Sequence, residues 1–291
     1  MSKPYTEIHW QSQDGLRLYS RVYEGRVYEG SGSGAPTVLC LHGLTRNSRD
    51  FEDLAPHLQR RYRVIAPDLR GRGFSARDPH PQNYQPAIYV QDILTLLGTV
   101  GAPRVAVIGT SLGGMLAMML GLSQPNRIAG IVLNDIGPEI DPVGIERIKQ
   151  YAGRLPPART WSEAVAQTRY MFGDAWPGLS PDRWEVLARR GFREDAAGVV
   201  EADADPNIGE VLRAAPAAAP DLWPLWKGLR NVPTLAIRGH HSDILSAATF
   251  ARMKSENPDL QQLEVADRGH VPLLDEPECL AALDAFLAKI L

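Results

Sequence analysis

Five residues constrain this 291-residue chain more than any others: Gly109-Thr110-Ser111-Leu112-Gly113. They follow a continuous apolar run, Val105 to Ile108, and lead into an apolar helical pattern that includes Met115 to Leu120. A serine at a sharp strand-to-helix turn is held in a strained backbone conformation that lifts its Oγ above the sheet. The residues two before and two after it then crowd together, and both positions favour glycine. The motif therefore requires a buried strand in front, a packed helix behind and an exposed nucleophile between them.

The surrounding sequence supplies that framework. Short apolar runs without polar alternation occur at Thr37 to Leu41, Arg63 to Ala66, Val105 to Ile108, Ile128 to Leu133 and Thr234 to Ile237. Runs of this length suit strands covered on both faces, as in a parallel sheet. Helical patterns alternate with them. One starts at Asn47 or Ser48 as N-cap and carries Phe51, Leu54, Ala55 and Leu58 on one face; another carries Val90, Ile93, Leu94 and Leu97; the last carries Leu280, Leu283, Phe286, Leu287 and Ile290. The fold class expected is α/β, a mostly parallel central sheet flanked by helices. Thr6 to His9 and Leu16 to Tyr23, around Asp14-Gly15, add a hairpin at the N-terminal end. Arg21-Val22-Tyr23-Glu24-Gly25 is repeated at once as Arg26 to Gly30 and followed by Ser31-Gly32-Ser33-Gly34, which reads as a duplication lengthening a surface loop.

The alternation lapses between Pro138 and Trp226, where helix-like segments and five of the six tryptophans gather without a clear buried strand. Residues 138–226 are therefore expected to form a helical cap inserted into one core made of 1–137 and 227–291. Its aromatic residues either anchor a small helical layer or line a substrate pocket.

A nucleophilic serine needs a base, and the base needs an orienting acid. His270, in Asp267-Arg268-Gly269-His270, follows the last strand-like run, Leu263 to Ala266, and falls on a loop at the C-terminal edge of the sheet. Two good candidates for the acid fit the order serine, acid, histidine. Asp135 follows the run Ile128 to Leu133, and Asp243 follows Thr234 to Ile237. Asp243 is favoured because its strand directly precedes that of His270; Asp135 leads straight into the insertion and can be a helix cap. An oxyanion hole needs two preorganised N–H groups. The amide of Leu112, which opens the helix, is one, and Leu44, in the loop His42-Gly43-Leu44-Thr45, is the choice for the other. His42 is expected to order that loop, not to act as a base.

His42-Gly43, Asp68-Leu69-Arg70-Gly71-Arg72-Gly73-Phe74-Ser75, the Ser111 turn, Ser242-Asp243 and Gly269-His270 together make the chain resemble α/β-hydrolase-fold serine hydrolases with a helical cap, over essentially its whole length. The resemblance implies a triad of Ser111, Asp243 and His270, with oxyanion amides on Leu44 and Leu112. Ser111 stands where haloalkane dehalogenases and epoxide hydrolases of this fold carry Asp. Thr45 stands where epoxide hydrolases and many haloperoxidase-like members carry Pro. Leu44-Thr45-Arg46-Asn47 lacks the Gly-Pro-Gly character usual in ring-cleavage carbon–carbon hydrolases.

Other signals are weaker. Gly71-Arg72-Gly73-Phe74-Ser75-Ala76 imitates a dinucleotide fingerprint, but prolines follow it where a helix should start. Asp203-Ala204-Asp205-Pro206-Asn207 imitates a calcium loop that has Ile208 where Gly is required. His240-His241 is a poor metal pair, because adjacent side chains diverge in extended chain. Arg46 and Arg49, beside the oxyanion loop, are candidates for pairing with a substrate carboxylate or are simply solvated. A net charge of −3 lacks the basic excess that nucleic acid demands. No apolar stretch reaches the length of a membrane span, and the first residues lack the apolar core of a signal peptide. Two cysteines, Cys40 and Cys279, form no disulfide framework, so the cytoplasm is the expected compartment. The expectation is a cofactor-independent enzyme acting on a small-molecule ester or lactone through an acyl-enzyme on Ser111, with no metal. A carbon–carbon or enol-lactone hydrolase with the same triad, and a ligand-binding receptor with little turnover, remain open alternatives.

Overall fold

A computed structural model describes residues 3–25, 35–215 and 221–291. The second copy of the duplicated pentapeptide and the Ser-Gly stretch after it lie outside these residues, as does the segment 216–220. Among the described residues ten strands run in order: β1 Thr6–Gln11, β2 Arg17–Tyr23, β3 Thr37–Leu41, β4 Arg63–Asp68, β5 Val105–Thr110, β6 Ile128–Asn134, β7 Phe192–Glu194, β8 Val200–Ala202, β9 Thr234–Gly239 and β10 Gln261–Val265. The α-helices are α1 Leu54–Leu58, α2 Pro86–Thr99, α3 Leu112–Ser123, α4 Pro142–Tyr151, α5 Trp161–Phe172, α6 Pro181–Gly191, α7 Asn207–Ala214, α8 Trp223–Gly228, α9 Ala247–Glu256 and α10 Pro277–Ile290.

Eight strands form one sheet in the order β1-β2-β4-β3-β5-β6-β9-β10. The pairs from β4 to β10 are parallel, and β2 is antiparallel to both β1 and β4. The hairpin β1–β2 turns at Gly15, whose φ of +82° is one that glycine adopts freely. Strands β3, β6 and β9 are buried at every position, which is why they read as uninterrupted apolar runs. Alternate residues feed two cores. Leu39, Val107, Ile131 and Leu133 pack with Ile93, Leu116, Leu120 and Trp226, whereas Val38, Ala106, Ile108 and Ile237 pack with Leu58, Leu283 and Phe286.

The helix expected over 48–58 is split into a single 3-10 turn at Ser48–Phe51 and the short α1. Asn47 caps the turn by accepting from Arg49 N–H, and Glu52 N–H bonds back only three residues to the Arg49 carbonyl. Between β6 and β9 lie α4 to α8 and, contrary to the sequence expectation, a small antiparallel hairpin of β7 and β8. Three-residue strands are too short to print an apolar run, although Phe192 and Val200 are buried against Ala158, Ala164 and Ala188. This inserted segment is fastened to the sheet-bearing part by polar links. Gly73 N–H donates to the Asp203 carbonyl at 3.0 Å, Tyr84 Oη donates to Asp205 at 2.6 Å, Arg190 pairs with Asp53 at 2.7 Å, and Arg49 pairs with Asp203. Among the described residues no helix is long and apolar enough to cross a membrane.

Candidate active site

Ser111 stands between the end of β5 and the start of α3 with φ 52° and ψ −116°, the strained left-handed region rare for a residue with a side chain. Its flanking glycines explain how the chain tolerates this. A Cβ on Gly109 would strike the Gly113 carbonyl and the Gly114 nitrogen, and one on Gly113 would strike the Leu41 carbonyl at the end of β3. The helix start can thus press against two adjacent strand ends, leaving Oγ on the C-terminal edge of the sheet.

His270 is brought to this edge by the loop after β10. Its Nε2 lies 2.9 Å from Ser111 Oγ, and the ring is buried with 6% exposure. Its Nδ1 lies 2.7 Å from Asp135 Oδ2. Asp135 is fully buried, immediately follows β6 and has φ 57°. Its Oδ1 accepts from Gly239 N–H at 2.8 Å, and Oδ2 also accepts from Ser242 Oγ at 2.5 Å. Three donors therefore fix this carboxylate with one oxygen facing the imidazole.

Asp243, favoured on sequence grounds as the acid, does not make this contact. It lies beyond β9 in a turn closed by Ser242 N–H to the Gly239 carbonyl, and its carboxylate is gripped by Arg147 of α4 at 2.5 and 2.9 Å. Burial works to raise the Asp243 carboxyl, but the Arg147 guanidinium prevails and holds it below its ordinary value. The sequence signal for Asp135 was its place: it is the first residue after its strand, as Ser111 is after its own. Asp243 stands four residues past Gly239, far enough for the chain to turn away.

Around the serine, the β3–α1 connection is tied down by hydrogen bonds. His42 is fully buried; its Nδ1 lies 2.8 Å from the Gly43 carbonyl and its Nε2 accepts from Leu69 N–H at 3.0 Å. Burial drives its pKa down to about 3, so the ring is neutral and orders the loop. Arg72 Nε donates to the Leu44 carbonyl at 2.9 Å and pins the next peptide. Among the described residues neither the Leu44 nor the Leu112 N–H has a hydrogen-bond partner.

A pocket of about 50 Å³ opens at the serine, walled by Gly43, Leu44, Arg46, Tyr151, Phe172 and Trp176 beside Ser111 and His270. The inserted segment thus reaches the serine through three aromatic rings. Phe172 and Trp176 stack with centroids 4.5 Å apart. The sequence had not indicated that this segment also holds the histidine loop: Trp176 Nε1 donates to the Val271 carbonyl at 2.7 Å, and Gly269 N–H donates to the Ala175 carbonyl at 2.8 Å. On the other side, Asn134 Nδ2 donates to the Pro272 carbonyl at 2.9 Å. The other four tryptophans of the segment make structural contacts. Trp184 packs against Trp176, Trp161 donates to Glu194, Trp223 donates to Glu139, and Trp226 is buried in the main core.

The weaker motifs have structural partners. Gly71 and Gly73 form a turn with φ +76° and +56°, and Asp68 accepts from the Ser48 and Phe74 amides across it. Arg70 is buried among Asp14, Asp78 and Asp92. His240 lies 2.9 Å from Glu264. Arg49 is spent on Asp203, whereas Arg46 lines the serine pocket. Among the described residues no group of three or more His, Cys, Asp or Glu side chains is placed to hold a metal ion.

Comparison with known proteins bears on the family and the fold. Residues 38–283 match the model of the Alpha/beta hydrolase family. The chain is 30% identical over 266 residues to a 3-hydroxybutyrate-oligomer hydrolase of Cupriavidus necator, covering 88% of this chain and 90% of that protein. It is 27% identical over 271 residues to a 2-(acetamidomethylene)succinate hydrolase of Mesorhizobium japonicum, covering 92% and 94%. Among solved structures, an alpha/beta hydrolase from Novosphingobium aromaticivorans matches 100% of both chains with a TM-score of 0.92 at 43% identity.

Proposed function

The chain belongs to the alpha/beta hydrolase family, and from this premise we propose that it is a serine hydrolase cleaving a carboxylic ester or lactone of a small molecule. The observation that carries the reading is the continuous hydrogen-bonded line from Asp135 through His270 to Ser111. His270 Nε2 takes the Ser111 proton as Oγ attacks the acyl carbon. Asp135 keeps the proton of the ring on Nδ1 and stabilises the imidazolium that forms. The amides of Leu44 and Leu112 receive the oxyanion, with Leu112 adding the positive end of α3. His270 then protonates the leaving alcohol and activates a water that frees the acyl group from Ser111.

The inserted segment acts as a cap in this reading. Tyr151, Phe172 and Trp176 shape the acyl pocket and keep water from the developing charge. The names of two relatives, a hydroxy-acid oligomer hydrolase and a substituted-succinate hydrolase, support a small organic acid derivative as substrate. Cys40 and Cys279 are buried free thiols, which fits work in the cytoplasm.

The test is to assay p-nitrophenyl esters of increasing chain length beside lactones and diketones, and to treat the enzyme with a serine-directed phosphonate. Ester turnover lost in Ser111→Ala, with one adduct on Ser111 by mass spectrometry, is the expected result. Cleavage of diketones alone would replace the ester reading with the carbon–carbon one. A Ser111 that neither turns over nor labels would leave a receptor.

A further inference from the structure

A second, larger cavity of about 340 Å³ adjoins the serine pocket, and the two share Thr45, Arg46 and Tyr151 as walls. Its lining is mainly apolar, with Leu155, Pro156, Met171 and Phe192 among the contributors. Arg46 stands at the junction. Its side chain and that of Ser111 flank Gly43: a Cβ built there would lie 3.6 Å from Arg46 Cγ and 3.9 Å from Ser111 Cβ.

Arg46 is nine-tenths buried, with 9% exposure. Its Nε and Nη2 are held by Asp50 at 2.5 to 3.1 Å. Among the described residues Nη1 has no hydrogen-bond partner. That nitrogen points at Gly191, another wall of the larger cavity, where any Cβ would collide with it. Asp50 lines the serine pocket and not the larger cavity, so the cavity sees the guanidinium's free edge without its counter-ion. The other charged groups on the wall are Arg77, Glu201 and Asp205, and Asp205 is already engaged by Tyr84 Oη and Asn207 N–H. Nη1 keeps accessible surface, so this donor of a largely buried guanidinium is open to an acceptor oxygen that enters the chamber.

We propose that the larger cavity binds one arm of the substrate and that Arg46 Nη1 donates to an acceptor oxygen on that arm. The preferred substrate is then an ester with a second carbonyl or carboxylate along the chain, such as an oligomer of a hydroxy acid or a half-ester of a diacid, and not a plain alkyl ester. This rests on the ester-hydrolase reading of Ser111 and adds the substrate class to it.

Binding separates the inference from that reading, because it does not depend on which bond is cleaved. The Ser111→Ala protein is titrated by calorimetry with methyl hexanoate, monomethyl adipate and dimethyl adipate. The two ligands with a second carbonyl or carboxylate should bind roughly tenfold tighter than methyl hexanoate, as a hydrogen bond to a charged donor allows. Preference for monomethyl over dimethyl adipate identifies a carboxylate as the acceptor; equal affinity identifies a carbonyl. The advantage should disappear when Arg46→Gln is added. Because that change leaves Asp50 without its partner, Gly191→Ala is the second variant: its Cβ takes the space of Nη1 and displaces that edge of the guanidinium, while both charges of the Arg46–Asp50 pair are kept. Equal affinity for all three ligands in the Ser111→Ala protein overturns the inference. So does a preference that survives both added substitutions. Ester turnover by the unmodified enzyme tests the underlying reading separately.

Discussion

At the scale of single residues, the identity of the acid decides how the site works, and two aspartates compete for that role. Asp135 faces His270 Nδ1 directly, while Asp243 is turned to Arg147. Replacing the true partner of a catalytic histidine lets the ring adopt the wrong tautomer, which costs about 10⁴-fold in kcat in the well-studied protease triad. Asp135→Asn should therefore lower kcat by about that factor with little change in KM. Asp243→Asn should stay within roughly tenfold and instead cost about 1 kcal/mol of stability, because it breaks a partly buried ion pair. Steady-state kinetics on one p-nitrophenyl ester and urea unfolding of both variants check this; an Asp243→Asn enzyme crippled in kcat would return the role to Asp243. The serine and histidine were legible because each type of residue stood in a position that only one candidate filled. The acid was not, since both aspartates follow strands that are neighbours in the sheet and both satisfy the chain order. What separates them is the turn after Gly239 and the reach of an arginine from a helix about a hundred residues away in sequence, neither of which a linear pattern displays.

At the scale of elements, two adjacent rings of the segment between β6 and β9 make different contacts. Phe172 walls the pocket and stacks on Trp176, whereas Trp176 both walls it and donates to the Val271 carbonyl on the histidine loop. Trp176→Phe keeps an aromatic ring and removes that donor. It should reduce kcat by roughly tenfold, the worth of one well-placed hydrogen bond, with a small effect on KM. Phe172→Ala should instead enlarge the pocket and move the ratio of kcat/KM between long and short acyl esters by roughly tenfold or more. Measuring kcat and KM for both variants on a short and a long ester distinguishes the roles; identical profiles would remove the distinction. The central strands could be read from sequence because both their faces are buried, so that Thr37–Leu41 was bounded to the residue. The hairpin β7–β8 could not, because its exposed, charged positions outnumber Phe192 and Val200. The division of the tryptophans was hidden for a similar reason: burial in a core and burial against a pocket demand the same side chain.

At the scale of the whole molecule, stability should carry the imprint of one buried imidazole. His42 is fully enclosed between β3 and the Leu69 amide, and burial lowers its pKa from 6.5 to about 3. In the unfolded chain the same ring takes up a proton near its ordinary value. The folded state thus binds fewer protons than the unfolded state at every pH between these two values. Stability is fully present above about pH 6.5 and is lost as pH falls toward the folded value. The depressed carboxylates do not obscure this window. Asp14 and Asp53, each held to about 2 by arginine neighbours that outweigh burial, lose their contribution only below their ordinary value of 3.8. Going from pH 7.5 to pH 5 should therefore cost about 2 kcal/mol of unfolding free energy from His42 alone. Urea unfolding at pH 7.5, 6.5 and 5 measures it, and the loss should steepen below pH 6.5. In His42→Asn, which removes the titrating ring, the protein should be less stable at pH 7.5 because Leu69 N–H loses its present acceptor, yet its stability should change much less on going to pH 5. An equal loss in both proteins would assign the dependence to other groups and leave His42 as a packing residue with an unremarkable titration.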